Sequence, residues 1–266
     1  MTEQDEPSLT CVTWNVHRGR GARSNGAVDV ERVFAALAAE IMPVRPAVLA
    51  LQEADEEEPP HRGVFDPARI EAIGGLVHAG APRLRWSGES HGFLGSVFYL
   101  RPDIEIADSA LIDLPGHAHR GAVLLELRIG DAELRVVTTH LSLLQPIRIA
   151  QMRTIGQHLF RRRPMPTVLM GDLNEWRPWG GLAFAPAVAI TRWQGPAPAT
   201  FPVGRPLFAL DRILADRSGM IEDVHALDGP LIREASDHRP LAGRLRLQAV
   251  RPNHMRENTP SRRTIP

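Results

Sequence analysis

The stretch PTVLMGDLN, from Pro166 to Asn174, constrains the fold of this chain more than any other segment. A short apolar run after a proline is typical of a strand buried on both faces, and such a strand usually ends where its sheet meets solvent. Because alternate residues of an extended chain point the same way, Asp172 and Asn174 would face one point, which suits a hard cation or a water molecule held for attack. An ordinary Asp/Asn turn after a strand explains the same letters, since Gly171 permits a bend.

The length of 266 residues, without an internal stretch typical of a linker, predicts one domain from residue 9 to residue 249. We expect disordered ends at residues 1–8 and 250–266, which lack an apolar period. No apolar run approaches the roughly 20 residues of a membrane-spanning helix, and the acidic start lacks the pattern of a secretory signal. The single cysteine, Cys11, cannot form an internal disulfide. These features predict a cytoplasmic protein without a transmembrane segment.

The charge pattern argues modestly against a protein that binds nucleic acid through a basic surface. Formal net charge is zero, and all 31 basic residues are arginines, which indicates compositional bias. Non-specific nucleic-acid binding depends on clustered cations that displace counterions from phosphates. The one local run, Arg161 to Arg163, is interpreted as the solvated end of a helix.

The periodicity of the chain predicts three helices and a larger number of strands. Helical spacing covers 29–41, with Asp29 as N-cap, 66–80, which starts with Asp66-Pro67, and 146–160. The predicted strands are 9–16, 47–51, 84–87, 92–100, 104–112, 122–129, 134–141, 167–173, 207–214 and 241–247. The strands between residues 84 and 141 follow one another with turns between them, which indicates antiparallel structure. Residues 176–206 predict a long loop that forms part of a substrate wall.

Polar side chains stand at the ends of six separated predicted strands. They are Asn15, Glu53, His140, Asp172 with Asn174, Asp211, and Asp237 with His238. If these ends converge, the site has enough oxygen ligands for Mg²⁺ or Mn²⁺. Two imidazoles remain to contact the leaving or transferred group. Zinc is a weaker expectation, because the chain has no cysteine cluster and no His-x-x-x-His spacing. An ordinary acidic surface run explains Glu53 equally well, since four acids follow at 55–58.

Seven motifs in order resemble the endonuclease/exonuclease/phosphatase superfamily, from about Thr10 to about Leu247. They are TWNVHRG, LALQE, GSVFYLRP, VVTTHL followed by R-x-x-Q, PTVLMGDLN, LDRIL and SDHRP. The resemblance implies an α+β fold. More specifically, it implies a four-layer α/β sandwich in which two mainly antiparallel β-sheets pack face to face, with helices on the outside.

The same resemblance implies roles for the metal side of a site. Glu53 matches the principal metal ligand, with Asn15 beside it and Asp237 as a further carboxylate. Asp172 matches the base or positioner of the attacking water.

On the phosphate side, the resemblance implies that His238 and His140 contact phosphoryl oxygens, that Asp211 orients His238, and that Asn174 donates to the phosphate. His17 and Arg120 recur as candidate phosphate contacts in a similar group of uncharacterised bacterial members. The chain has Gly95-Ser96-Val97 where many relatives have Gly-Asn-Ala, and Tyr99 is interpreted as a packed residue.

These observations lead to the hypothesis of a Mg²⁺- or Mn²⁺-dependent phosphoesterase, foremost a phosphodiesterase, that works by direct attack of water. The substrate is left open among lipid-linked, small-molecule and nucleic-acid phosphoesters. Trp176, Trp179, Trp193 and Phe201 favour an apolar wall beside the phosphate. A DNA endonuclease or exonuclease, and a non-catalytic metal- or phosphate-binding module, are the alternatives, and no obligate protein partner is evident.

Overall fold

The computed structural model describes residues 8–23, 26–116, 119–177 and 179–247. The predicted disordered tail, 250–266, and residues 1–7 of the predicted disordered start lie outside these ranges, whereas Ser8 begins the first strand. None of the helices in the described part of the chain has the length and apolar character needed to cross a membrane.

The first sheet has six strands in the order β10-β11-β1-β2-β4-β3. Its members are β1 (Ser8–Asn15), β2 (Val48–Gln52), β3 (Val77–His78), β4 (Val97–Leu100), β10 (Ile221–Ala226) and β11 (Leu241–Arg246). Only β1 and β2 pair in parallel, with Asn15 opposite Gln52 at their carboxyl ends. The sheet therefore presents Asn15 and the residue after β2, Glu53, at one edge.

The second sheet has five strands in the order β5-β6-β7-β8-β9. Its members are β5 (Glu105–Leu114), β6 (Arg120–Ile129), β7 (Ala132–His140), β8 (Thr167–Asp172) and β9 (Asp211–Ala215). Here β7 and β8 are the parallel pair, and His140 lies opposite Asp172. Asp211 starts the neighbouring antiparallel strand opposite Asp172, so three candidate residues meet at one end of this sheet.

An apolar core fills the space between the two sheets and holds them face to face. Cys11 and Ala50 from the first sheet pack there with Val136, Val168 and Ile213 from the second. Burying this much apolar area is the main favourable term in folding such a sandwich. Burial also raises the pKa of the Cys11 thiol, so this cysteine is a core residue, as its strand predicts.

Helices cover the outer face of each sheet, which completes four layers. The helices are α1 (Val30–Ala36), α2 (Pro67–Gly74), α3 (Gln145–Phe160), α4 (Pro186–Ala189) and α5 (Pro230–Ala235). Residues of α1, α2 and α5 share a core with the first sheet, and residues of α3 and α4 share one with the second. The predicted α+β sandwich with mainly antiparallel sheets is confirmed.

Several predicted boundaries are wrong for local reasons. The helix predicted to 80 ends at Gly74, because Gly75 adopts φ 61° and closes it, and Val77–His78 then pairs with β4 as a strand. The predicted strand 84–87 is instead a 3₁₀ turn, Pro82–Leu84, followed by a loop in which Trp86 N–H donates to Gly92 O. The sequence prediction also missed β10 and α5, which are short and carry several exposed polar residues.

Candidate active site

The site forms where the carboxyl ends of the two parallel strand pairs meet across the sandwich. Asn15 ends β1 and Asp172 ends β8, and the Asn15 amide Nδ2 donates to Asp172 Oδ2 at 3.0 Å. The same Nδ2 lies 3.4 Å from Glu53 Oε1. The amide oxygen accepts the backbone N–H of His17 at 2.9 Å, which fixes the orientation of the side chain. One asparagine thus ties two carboxylates from two sheets together.

Asp172 is the centre of the cluster and is 2% exposed. Its Oδ2 lies 3.2 Å from His140 Nε2 and 3.7 Å from His238 Nε2, and its Oδ1 accepts the backbone N–H of Asn174 at 3.1 Å. Burial raises the pKa of this carboxyl to about 6, although the positive charge of His238 opposes the rise. Asp172 therefore sits in the pKa range in which a carboxylate can accept a proton near neutral pH.

The hydrogen bonds of His140 assign its tautomer. Arg120 Nη1 lies 2.7 Å from His140 Nδ1, and a guanidinium can only donate, so Nδ1 is the unprotonated acceptor. The proton is then on Nε2, directed at Asp172. Burial, reinforced by the charge of Arg120, holds the pKa of His140 well below its usual range. His140 is thus a neutral donor to Asp172.

His238 is in the opposite state. Its Nδ1 lies 2.8 Å from Asp211 Oδ2, which also accepts a hydrogen bond from Thr200 Oγ1 at 2.5 Å. Burial alone would favour the neutral ring, but the carboxylates of Asp211 and Asp172 raise the pKa of His238 to about 10. His238 is therefore a buried imidazolium whose Nε2 faces Asp172.

Glu53 and Asp237 form the more open side of the site. Glu53 is paired with Arg18, and His140 Nδ1 lies 3.6 Å from Glu53 Oε1. Asp237 Oδ1 lies 3.4 Å from His17 Nδ1 but is buried without a hydrogen-bond donor among the described residues. Burial raises the pKa of Asp237, and the charge of Glu53 contributes to the rise. The charge of one carboxylate raises the pKa of the other, and a pair of this kind is suited to a shared cation.

A second group of potential ligands has a different character. Asp172, Asp211 and His238 lie with one ligand atom each within 4.8 Å of one another, all buried. The imidazolium of His238 already bridges the two carboxylates, and a protonated imidazole has no lone pair for a metal. In the metal-free protein, His238 thus contacts both Asp211 and Asp172, and Glu53 and Asp237 are further carboxylates of the same site.

Unusual backbone angles place the side chains of the site. Glu53 has φ 55° and Asn174 has φ 50°, both in the left-handed region that residues other than glycine rarely adopt. Gly95 packs on Glu53, because a Cβ at Gly95 would lie 3.3 Å from the Glu53 Cα and N. Strain of this kind concentrates at functional sites, where the surrounding packing maintains it.

The structure brings all the predicted site residues into one region, including His17 and Arg120. Arg120 contacts His140, and His17 Nδ1 lies 2.8 Å from Gly21 O as well as near Asp237. Asn174 uses one amide proton to donate to Leu141 O at 2.8 Å. The positions therefore converge, whereas the chemical roles of these residues remain predictions.

Three residues of the site were missed or misjudged by sequence reasoning. Arg18, in the glycine-rich loop after β1, is not among the predicted site residues, yet its side chain is 15% exposed and pairs with Glu53. Thr200 supports Asp211, and Ser236 Oγ donates to Asn15 O at 2.6 Å while accepting the N–H of His238 at 3.1 Å. The sequence signal for Thr200 and Ser236 was their position in the ATFP and SDHRP stretches, which lie near Asp211 and Asp237 in the chain.

The predicted aromatic wall is only partly beside the site. The ring of Phe201 lies 4.9 Å from that of His238, between centroids. Trp193 and Trp179 line a separate cavity of about 240 Å³ with Phe184, Arg212 and Leu214. Because alternate residues of β9 face opposite ways, Arg212 lies on the side of the sheet away from Asp211. The contribution of Trp193 and Trp179 to a substrate wall stays a prediction.

Comparisons with known proteins identify a family and a shared fold. Residues 12–238 match the model of the Endonuclease/Exonuclease/phosphatase family. The chain is 25% identical over 252 residues to the uncharacterized protein YbhP of Escherichia coli K12, covering 90% of this chain and 97% of that protein.

Solved structures show the same fold. An endonuclease/exonuclease/phosphatase from Beutenbergia cavernae superposes with a TM-score of 0.61 at 21% identity, over 90% of this chain and 72% of that one. The human Nocturnin catalytic domain with bound sulfate superposes with a TM-score of 0.64 at 19% identity, over 93% of this chain and 96% of that one. D. rerio TDP2 complexed with single-strand DNA product superposes with a TM-score of 0.62 at 15% identity, over 90% of this chain and 98% of that one.

Proposed function

Since the chain belongs to the endonuclease/exonuclease/phosphatase family, we propose that it is a divalent-metal-dependent phosphodiesterase in which water attacks phosphorus directly. Family membership supports phosphoester hydrolysis in general. The observation that carries the more specific proposal is the set of contacts around Asp172 Oδ2. Asn15, His140 and His238, from three other segments of the chain, lie 3.0, 3.2 and 3.7 Å from this one oxygen.

The residues present fit a hard divalent cation, Mg²⁺ or Mn²⁺. Asp237 Oδ1 is a buried acceptor without a hydrogen-bond donor among the described residues, and the charge of Glu53, a second carboxylate on the open side, contributes to the raised pKa of Asp237. Oxygen donors of this kind match the preference of these ions. Glu53 and Asp237 would hold the cation, with Asn15 between Glu53 and Asp172. When bound, the cation would neutralise charge on the phosphate and on the leaving oxygen.

The role proposed for Asp172 is to orient the attacking water and to accept its proton. As the water oxygen bonds to phosphorus, the bond from phosphorus to the ester oxygen breaks, and one water proton moves to Asp172 Oδ2. A pKa of about 6 matches this task, because the carboxylate is ionised at neutral pH yet basic enough to take a proton. Asn15 and His140 hold the carboxylate in place by donating to it.

The remaining side chains supply positive charge and hydrogen-bond donors for the phosphate. His238 is an imidazolium, Arg120 and Arg18 are guanidinium groups, and each of the two arginines has a buried Nε without a partner in the described structure. Fixed donors aimed at developing charge give the largest catalytic effects in reactions of this type. In this proposal His238 donates a hydrogen bond to a phosphoryl oxygen, and Asn174 donates to the phosphate through its second amide proton.

The test is hydrolysis of bis(4-nitrophenyl) phosphate by the wild-type protein with MgCl₂ or MnCl₂, and after chelation with EDTA. We expect chelation to abolish activity and Asp172→Asn to reduce kcat by about 10²–10⁴-fold. Asp131→Asn, at an exposed turn position between β6 and β7, is the matched control and should retain wild-type activity. Activity that survives both EDTA and Asp172→Asn would refute the proposal. Rates of hydrolysis on plasmid DNA, phospholipids and small diesters then show whether the protein is a nuclease or a phosphodiesterase for other substrates.

A further inference from the structure

A buried carboxyl, that of Asp55, lies two residues beyond Glu53 and pairs with a buried hydroxyl. Asp55 is 1% exposed, and its Oδ2 lies 2.5 Å from Oγ of Ser90, which is fully buried. The same hydroxyl lies 2.6 Å from Gly92 O. Burying a carboxyl costs free energy, and replacing both partners of a buried hydrogen bond by apolar groups of the same shape can be nearly neutral for stability. Stability alone therefore does not account for this pair.

Residues 90–96, which we refer to as the 90–96 turn, form a tight turn before β4. Phe93 and Ser96 exchange two backbone hydrogen bonds, of 3.0 and 3.1 Å. Between them, Leu94 and Gly95 both adopt left-handed backbone angles, φ 52° and φ 82°. A leucine rarely adopts such an angle, so contacts from outside the turn are needed to maintain its shape.

The tip of the 90–96 turn lies against the backbone of Glu53. The Gly95 carbonyl accepts the N–H of Ala54 at 3.0 Å, and a Cβ at Gly95 would lie 3.3 Å from the N and Cα of Glu53. Asp55 continues the same segment and pairs with Ser90 at the start of the turn. The turn is therefore hydrogen-bonded to the two residues that directly follow Glu53.

Side chains of the same turn pack on the start of β6. A Cβ at Gly121 would lie 2.2 Å from Phe93 Cε1 and 3.3 Å from Leu94 Cδ1, so these side chains fill the space over the glycine. Gly121 follows Arg120, and its carbonyl accepts the hydroxyl of Thr139 at 3.0 Å. The 90–96 turn thus contacts the start of β6 as well as the end of β2.

Glu53 depends on such support, because its backbone is strained. With φ 55° it lies in the left-handed region, which a residue other than glycine keeps only where the surrounding contacts maintain it. Its carbonyl accepts the N–H of Arg18 at 3.1 Å, and its carboxylate lies beside the amide of Asn15. Replacing a group that supports a metal ligand typically changes metal affinity by about 10–100-fold.

We propose that Asp55 and Ser90 are positioning residues that hold the 90–96 turn against Glu53 and so keep its carboxylate in place for the divalent cation. The expected effect on metal binding rests on the proposed function, in which Glu53 is a metal ligand. Loss of the hydrogen bond between Asp55 and Ser90 allows Glu53 to leave its strained angle, which weakens the cation site without removing a ligand.

The test measures Mn²⁺ binding to the metal-free, full-length protein by electron paramagnetic resonance, a measurement that needs no turnover. Ser90→Ala and Asp55→Ala are each expected to raise the Kd for Mn²⁺ by about 10–100-fold. Asp55→Asn keeps a polar side chain of the same size that can hydrogen-bond to Ser90, so this variant should bind Mn²⁺ nearly as tightly as wild type does.

Thr167→Val is the matched control, because it removes a buried hydroxyl at the opposite end of the second sheet. Thr167 is 3% exposed, and its Oγ1 donates to Met165 O at 2.8 Å. It starts β8, whose length places it about 17 Å from Asp172. This variant should keep the wild-type affinity for Mn²⁺. Circular dichroism verifies that each variant is folded, and Ser90→Ala, which deletes one oxygen, decides the test if Asp55→Ala does not fold.

Two results separate this inference from the proposed function. If Glu53→Gln weakens Mn²⁺ binding but folded Ser90→Ala binds as tightly as wild type, the positioning role is refuted and the metal site stands. A wild-type protein that binds no Mn²⁺, or that binds it equally well after Glu53→Gln, would refute the metal site and the positioning role together. Equal losses in Ser90→Ala and Thr167→Val, or in Asp55→Asn and Asp55→Ala, would also overturn the positioning role.

Discussion

Asn15 and Asp172 belong to different sheets, and the Asn15 amide reaches Asp172 Oδ2 at 3.0 Å across the sandwich. The carboxylate centre of the site is therefore assembled only when the two sheets pack in their native register. The same amide nitrogen lies 3.4 Å from Glu53, so one neutral side chain separates two acids. Three predictions about the site follow, and a fourth concerns the buried ion pair of Arg148 and Glu175.

Replacing Asn15 by aspartate should destabilise the metal-free protein, because the substitution puts a third carboxylate within hydrogen-bonding distance of Asp172. Carboxylates this close repel one another, which raises their pKa values and lowers the stability of the folded state. We expect a lower Tm without metal and a larger rise in Tm on adding MgCl₂ than wild type shows. Differential scanning fluorimetry measures both. Gln157→Glu, at an exposed position of α3, adds the same charge and should change neither value. Equal metal shifts in wild type and Asn15→Asp would contradict the assignment.

His238 should stay protonated through neutral pH in the metal-free protein. The Asp211 and Asp172 carboxylates, acting against burial, raise the pKa of His238 to about 10, above the ordinary value near 6.5. Because the folded pKa is raised, this group stabilises the fold fully below about pH 6.5, and the contribution is lost as pH rises toward 10. Asp211→Asn should lower the pKa of His238. Nuclear magnetic resonance of the imidazole nitrogens follows both proteins, and a neutral ring at pH 7 in wild type would exclude the ion pair.

Substitutions of His140 should depend on which ring nitrogen they imitate. The Nε2 proton points to Asp172, so glutamine at this position, whose amide nitrogen reaches the place of Nε2, should preserve that donor better than asparagine does. We therefore expect the His140→Gln variant to retain more activity than His140→Asn, and His140→Ala to lose about 10²–10³-fold in kcat. Steady-state rates on a soluble diester compare the three. The reverse order, with asparagine superior, would assign the proton to Nδ1.

Arg148→Met should be strongly destabilising. Removing a buried partner leaves Glu175 with only Arg177 and leaves the carbonyls of Ser142 and Leu143 without their donor. Breaking a buried pair from one side costs about 3–5 kcal/mol. Urea denaturation followed by circular dichroism gives the free energy of unfolding. Arg153→Met, an exposed position on the same helix, should cost far less. A loss below about 1 kcal/mol for Arg148→Met would show that this buried pair does not support the loops after β7 and β8.

The sequence predicted those site residues that lie at the ends of buried strands. Asp172 and His140 were found because a continuous apolar run identifies a central strand, and its last polar residue then marks the sheet edge. Asp211 and His238 were also identified beside predicted strands, whereas the roles expected of them come from the resemblance to a family. The layered fold followed from that resemblance too, with strand and helix periods that agree with it.

The sequence did not predict contacts that depend on long-range packing. Arg18 lies in a glycine-rich loop, and its burial depends on Glu53 turning back with φ 55°. The burial of Arg148 and Gln151 on α3 depends on the loops after β7 and β8, whose residues Ser142 and Glu175 contact them. β10 was missed because an edge strand with exposed Glu222 and Asp223 lacks the apolar pattern of a buried strand.

The most direct test of the central claim, that Asp172 directs water to phosphorus, is the stereochemical course of hydrolysis. A phosphorothioate diester that is chiral at phosphorus is hydrolysed in ¹⁸O-labelled water with Mg²⁺ or Mn²⁺, and the configuration of the product is determined. Direct attack predicts inversion at phosphorus and one ¹⁸O in the phosphorothioate product. Retention of configuration, which requires a covalent intermediate on the protein, or ¹⁸O found in the alcohol, would contradict the account.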